Sequence, residues 1–176
     1  MTTVNMGLVQ VYTGDGKGKT TAAVGLAVRA VGAGLRVAFV QFVKGGARSS
    51  ELAVLEEIGV RVERPAVRST GLLGSGITEA DRTAAGQAWE IATEAIASCE
   101  YDVVILDEIN VAMAHGLVPE ADVIAALDQR PPALEVVLTG RGAPEALVAR
   151  ADLVTEMVSR RHPYDEGAGA RPGIEY

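Results

Sequence analysis

At 176 residues, with 16 Lys and Arg against 23 Asp and Glu and a formal net charge of −7, the chain is long enough to bury a core and too acidic for the broad basic surface that nucleic acid requires. Hydrophobic residues at 48% and charged residues at 22% exclude a disordered or collagen-like chain, and a single cysteine, Cys99, excludes an intrachain disulfide and a thiolate-rich metal site. Met1 to Met6 lacks the basic-then-apolar pattern of a secretion signal, and no apolar run approaches the roughly 20 residues of a membrane span, so a cytoplasmic chain without membrane contact is expected.

Short apolar runs alternate with longer stretches of helical character. Strands are expected at Leu8 to Tyr12, Arg36 to Phe42, Val60 to Glu63, Val103 to Leu106, Glu135 to Thr139 and Leu153 to Met157. Their near-continuous Val, Ile and Leu content implies burial on both faces of the sheet. Helices are expected at Lys19 to Val31, Ser50 to Ile58, Thr78 to Ser98, Pro119 to Leu127 and Ala143 to Ala149. Thr78 followed by Asp81 has the spacing of a helix cap, and Trp89 reads as core packing. Mobile loops are expected at Lys44 to Ser50 and Pro65 to Gly76. The pattern describes one domain over residues 1–176, with a flexible N-terminus at 1–6 and a flexible C-terminal segment at 160–176.

The first strand runs into Thr13-Gly14-Asp15-Gly16-Lys17-Gly18-Lys19-Thr20-Thr21, a glycine-rich turn that opens a helix. Polyphosphate needs this arrangement, because glycine permits close approach, successive N–H groups converge, and the helix N-terminus adds favourable potential. Lys19 is expected to reach the bridging phosphates and Thr20 to hold Mg²⁺. The loop is atypical in carrying Thr13 where glycine is usual, and Lys17 adds a second cation that could meet phosphate or face solvent.

Val103 to Leu106 leads into Asp107 and Glu108, a buried strand ending in two acids, with Asp107 placed to bind Mg²⁺ beside Thr20. Glu108 keeps an ATPase or kinase reading open, since an acid here can polarise an attacking water. Arg141, in Thr139-Gly140-Arg141-Gly142, could clamp phosphate or pair with a nearby acid, and Arg29 presents the same choice. His115 and His162 are too far apart for a local metal motif. The expected fold is a P-loop, RecA-type α/β domain, a three-layer structure with a mostly parallel sheet of about six strands flanked by helices.

Together these motifs resemble the P-loop type of ATP:corrinoid adenosyltransferase, over nearly the whole chain. The resemblance rests on Val11 to Thr21, Gln41-Phe42-Val43-Lys44-Gly45, Leu106-Asp107-Glu108, Arg130-Pro131, Leu138 to Arg141, Ala151 to Met157, and the ending from His162-Pro163-Tyr164-Asp165 to Gly173-Ile174-Glu175-Tyr176. It implies transfer of the 5′-deoxyadenosyl group of ATP to the cobalt of a reduced Co(I) corrinoid in adenosylcobalamin biosynthesis or salvage, with triphosphate leaving. ATP is then a co-substrate, Mg²⁺ or Mn²⁺ its metal, an electron-donor flavoprotein the source of reduced cobalt, and a homodimer the expected assembly. The candidate ATP residues are thus 13–21, Arg29 and Arg141; the candidate corrinoid residues are Leu72 and Leu73, which the resemblance implies, and His162, whose basic run Arg160-Arg161-His162 could equally be a solvated stretch. The family carries aromatic residues in its corrinoid loop, whereas this chain has Gly71 to Ile77 with Leu72 and Leu73 as apolar wedges. A non-catalytic carrier of corrinoid or nucleotide is the remaining alternative.

Overall fold

The computed structural model describes residues 6–42, 50–65, 76–161, 167, 169, 171, 173 and 174. The segments expected to be flexible, 1–6 and 160–176, and the loops expected at 44–50 and 65–76 lie largely outside these residues, as do Leu72, Leu73 and His162.

Six strands, β1 (Val9–Thr13), β2 (Val37–Gln41), β3 (Arg61–Glu63), β4 (Val103–Asp107), β5 (Glu135–Thr139) and β6 (Leu153–Glu156), form one sheet in the order β3-β2-β4-β5-β1-β6. Every pairing is parallel. The connecting segments form α1 (Lys19–Gly32), α2 (Ser50–Glu57), α3 (Glu79–Ala97), α4 (Ile109–Ala114), α5 (Glu120–Gln129) and α6 (Glu145–Arg150).

The period of two along each strand sorts the apolar side chains into two cores. Val9, Val11, Val40, Val104, Leu106 and Leu138 face a layer that includes Ala85, Ala88 and Ala92 of α3. Val37, Phe39, Val103, Ile105 and Val137 face Ala23, Ala27 and Ala30 of α1 and Leu52 and Leu55 of α2. Alanine on the buried helix stripes lets these helices lie close to the sheet, and each fully buried Leu, Ile or Phe contributes about 1.5–3 kcal/mol by leaving water. Helix α3 begins at the expected cap: Thr78 Oγ1 accepts from the Asp81 N–H at 3.2 Å, and the Asp81 carboxylate accepts from the Thr78 N–H at 2.8 Å.

The expectation of two-sided burial holds for β2 and β4, in which every residue is buried, and fails at the sheet margins. All four residues of β6 are exposed, and β3 is exposed or half-buried. Strand order explains the difference, because β3 and β6 are the two edges. Helix α4 is an element that the sequence pattern does not announce. It spans six residues, lacks a side-chain cap and starts one residue after β4.

The same order sets the site. Because β5 lies between β1 and β4, the loop after β1 and the acids after β4 meet across the carboxyl end of β5.

Candidate active site

The loop after β1 is shaped by its neighbour β6 as well as by any ligand. Gly14 and Gly18 have φ of 90° and 120°, conformations that favour glycine. A Cβ on Gly14 or Gly16 would lie 2.5 or 2.6 Å from the Met157 carbonyl oxygen, so both positions require glycine for close packing. The Gly16 N–H donates to that same oxygen at 2.6 Å, and Met157 N–H donates to Thr13 O at 2.8 Å. Thr13 itself, the unusual residue, ends β1, and its hydroxyl accepts from Ala143 N–H at 3.3 Å. A glycine there would lose this tie to the segment that enters α6.

Lys19 and Thr20 begin α1. Lys19 is only 7% exposed, and its ammonium donates to the carbonyls of Gly14 at 2.7 Å and Gly16 at 2.6 Å. Burial pushes the ammonium below the usual lysine range; Arg141 adds to this, while Glu108 and Asp15 oppose it. The side chain is thus held folded over the loop, a short reach from a phosphate placed in it.

Asp107 is fully buried at the end of β4 and is the hub of the site. Its Oδ1 accepts from Thr20 Oγ1 at 2.9 Å and from Thr139 Oγ1 at 2.8 Å. Its Oδ2 accepts from Gln41 Nε2 at 3.2 Å. Thr139 Oγ1 in turn accepts from Glu108 N–H at 3.0 Å. One hydroxyl on β5 therefore links both acids after β4.

Glu108 has φ 63° and ψ 19°, the left-handed conformation, at the start of α4. For a residue with a Cβ this costs about 1–3 kcal/mol and is found where function holds a side chain in place. Asn110, fully buried on α4, donates to Gly140 O at 3.2 Å and Tyr12 O at 3.4 Å, which ties α4 to the ends of β5 and β1.

These elements surround a cavity of about 610 Å³ lined by Gly16 to Thr21 of the loop and α1, by Glu108 and Arg141, and by Val24, Ser50, Glu51 and Val54. Gly173 and Ile174 close one side, and Lys17 Nζ donates to Ile174 O at 2.8 Å. The cavity thus brings together Gly16, Lys17, Gly18, Lys19, Thr20, Thr21, Glu108 and Arg141, with Asp107 bonded to Thr20 behind it. Thr13, Gly14 and Asp15 belong to the same loop without lining the cavity. Arg29 is not brought in: it is exposed in the last turn of α1, about 15 Å along the helix from Lys19, where a cation suits the helix dipole. His115 is exposed beyond α4.

Among the described residues no cluster of three His, Cys, Asp or Glu side chains could hold a metal by itself. Thr20 and Asp107 offer two hard oxygen donors beside a polyphosphate cradle, which fits Mg²⁺, an ion that takes its remaining ligands from phosphate and water. Sequence reasoning missed Gln41, Thr139 and Asn110. Gln41 and Thr139 stand within segments that carry the family resemblance without a role assigned to them, and all three share the signal of a polar residue at or just beyond the carboxyl end of an apolar strand.

The sequence model of the family described as ATP:corrinoid adenosyltransferase BtuR/CobO/CobP matches residues 5–176. The chain is 39% identical over 171 residues to the corrinoid adenosyltransferase of Escherichia coli K12, covering 97% of this chain and 86% of that one. It is 40% identical over 171 residues to the corrinoid adenosyltransferase CobA of Salmonella typhimurium LT2, with the same coverage. Against the corrinoid adenosyltransferase of Pseudomonas aeruginosa PAO1 it is 36% identical over 176 residues, covering 97% and 84%. With the phosphate cradle and acid pair in place, these likenesses show that the chain belongs to the ATP:corrinoid adenosyltransferase family.

Proposed function

We propose that this protein transfers the 5′-deoxyadenosyl group of ATP to the cobalt of a reduced corrinoid, in adenosylcobalamin biosynthesis or salvage. The observation that carries the reading is the buried Lys19, folded over the glycine loop beside Thr20 and Asp107, in a chain of this family. In the reaction the Co(I) electron pair attacks C5′ of the ribose, the C5′–O bond breaks, and its electron pair leaves with triphosphate, so cobalt ends formally as Co(III). The substrate supplies the nucleophile, and the protein's contribution is alignment and stabilisation of charge on the leaving group.

Lys19 and the loop N–H groups bind the triphosphate oxygens, and Arg141, exposed on the cavity wall, clamps the same charge. Lys17 reaches the triphosphate by exchanging its bond to Ile174 O. Mg²⁺ or Mn²⁺ would be held by Thr20 and by Asp107, directly or through water, and supplies further charge neutralisation at the triphosphate. Glu108, aimed into the cavity by its backbone, orients the nucleotide and need not activate water. Leu72 and Leu73 are assigned to the corrinoid by family resemblance, with His162 as a further candidate. The homodimer and the electron-donor flavoprotein partner rest on the family resemblance, whereas a cytoplasmic location and the action of residues 1–176 as one domain rest on the length and composition of the sequence.

The test is incubation with chemically reduced corrinoid, ATP and Mg²⁺. A light-sensitive cobalt–carbon product and stoichiometric triphosphate are expected. Release of ADP and orthophosphate without corrinoid product would overturn the reading.

A further inference from the structure

Strand β2 reads Val-Ala-Phe-Val-Gln and is buried at every position, so its last side chain, Gln41, takes an amide into a place where packing alone would ask for an apolar residue. Gln41 is 2% exposed and pairs in register with Asp107 of the neighbouring strand. Its Nε2 donates to Asp107 Oδ2 at 3.2 Å. The carboxylate settles which end of the amide points to it, since Oε1 in that place would set acceptor against acceptor. Gln41 Oε1 therefore cannot be satisfied by turning the amide over, and among the described residues it has no hydrogen-bond partner.

A buried acceptor beside a carboxylate calls for a donor that arrives with the ligand. Asp107 has already taken the hydroxyls of Thr20 and Thr139 on Oδ1 and the Gln41 amide on Oδ2. We infer that Gln41 is a positioning residue for the metal–triphosphate complex, fixing Asp107 through Nε2 and accepting on Oε1 from a water in the shell of the divalent cation. The inference rests on the reading of Thr20 and Asp107 as the metal's protein ligands. Gln41 touches neither ATP nor corrinoid in this scheme and acts through Asp107 and that water.

Mn²⁺ binding, followed by electron paramagnetic resonance in the presence of ATP, tests it alongside calorimetric ATP binding in EDTA. Gln41→Leu is expected to weaken Mn²⁺ about tenfold, as loss of an outer partner of a metal site typically does, and to leave metal-free ATP affinity within about twofold. Equal loss of both affinities would reduce Gln41 to a support of the fold and overturn the inference. Unchanged Mn²⁺ affinity in Gln41→Leu together with a loss in Asp107→Asn would overturn it while sparing the metal assignment. If Asp107→Asn also binds Mn²⁺ normally, the metal assignment itself falls. Should Gln41→Leu not fold, Gln41→Glu decides the matter. It keeps the shape and the acceptor but sets two carboxylates together, so Mn²⁺ with ATP is expected to raise its melting temperature more than that of the wild type. An equal or smaller rise overturns the inference.

Discussion

The two ends of the parallel sheet are both polar, but only one is chemically finished. At the amino ends of the strands, Arg130 donates to the carbonyls of Leu127 at 2.9 Å, Gly7 at 3.0 Å and Leu134 at 3.4 Å. Asp152 accepts from Val9 N–H at 2.8 Å, and Asp102 takes a two-pronged contact from Arg36 at 3.0 and 3.1 Å that holds its carboxyl below the usual range. At the carboxyl ends, Gln41 and Asn110 each bury an oxygen without a partner among the described residues, Glu108 sits in a left-handed conformation, as Cys99 does before β4, and Lys19 carries a buried ammonium. Among the described residues, Arg130, Asp152 and Asp102 at the first end close their hydrogen bonds within the chain and serve the fold. The second keeps open acceptors and a buried ammonium that a ligand can engage.

The largest effect expected from this contrast is at Lys19. Lys19→Ala should lower kcat/KM for adenosyl transfer by about 10³-fold or more, some 4 kcal/mol, mainly through lost triphosphate binding and alignment. Its melting temperature should move little, because relief of the buried ammonium offsets the loss of its hydrogen bonds to the Gly14 and Gly16 carbonyls. Near-normal kinetics would remove the cradle from the mechanism.

Arg130→Ala should do the reverse. It leaves three carbonyls short of a donor and should cost about 2–3 kcal/mol of unfolding free energy by denaturant titration, with kcat/KM within about twofold below the melting range. A large kinetic effect with unchanged stability would erase the distinction between the two ends. Smaller still is Glu108→Gly, which relaxes the left-handed residue but loosens the unfolded chain, so that stability should change by less than about 1 kcal/mol while transfer falls at least tenfold. Gain in both stability and turnover would show that the strained residue has no part in the site.

The sequence was most legible where the information is local. The loop from Thr13 to Thr20, the Thr78–Asp81 cap and β5 at Glu135 to Thr139 each announce themselves by spacing within a few residues. Asp107 could be joined to Thr20 because both lie on motifs with known partners. The bonds that complete the site could not be read, since Gln41 and Thr139 find Asp107 across neighbouring strands and no local pattern names the strand order. The same holds for Gly14 and Gly16, whose close neighbour is Met157 on the chain beyond β6. Arg130-Pro131 stood out as a family motif, yet its arginine lies at the finished end, a reminder that a motif can mark scaffold as well as chemistry.

The smallest effect follows from the depressed ammonium of Lys19 and separates the two ends by pH. Because burial lowers the folded value, the unfolded chain binds more protons between that value and the ordinary one near ~10.4. The contribution of Lys19 to the stability of the ligand-free protein should therefore rise modestly with pH across this window, until the raised Tyr12 hydroxyl opposes it above about 10. Triphosphate affinity should move the other way, since the anion favours the charged amine and binding must draw a proton onto Lys19. Calorimetry in buffers of different ionisation enthalpy, above pH ~8 where the nucleotide is already fully ionised, should record uptake of a fraction of one proton on binding, and Lys19→Met should abolish it. Uptake that persists in Lys19→Met would move the titrating group away from the cradle, while stability and affinity that both fall with pH would mean that neighbouring acids already hold the ammonium charged without ligand.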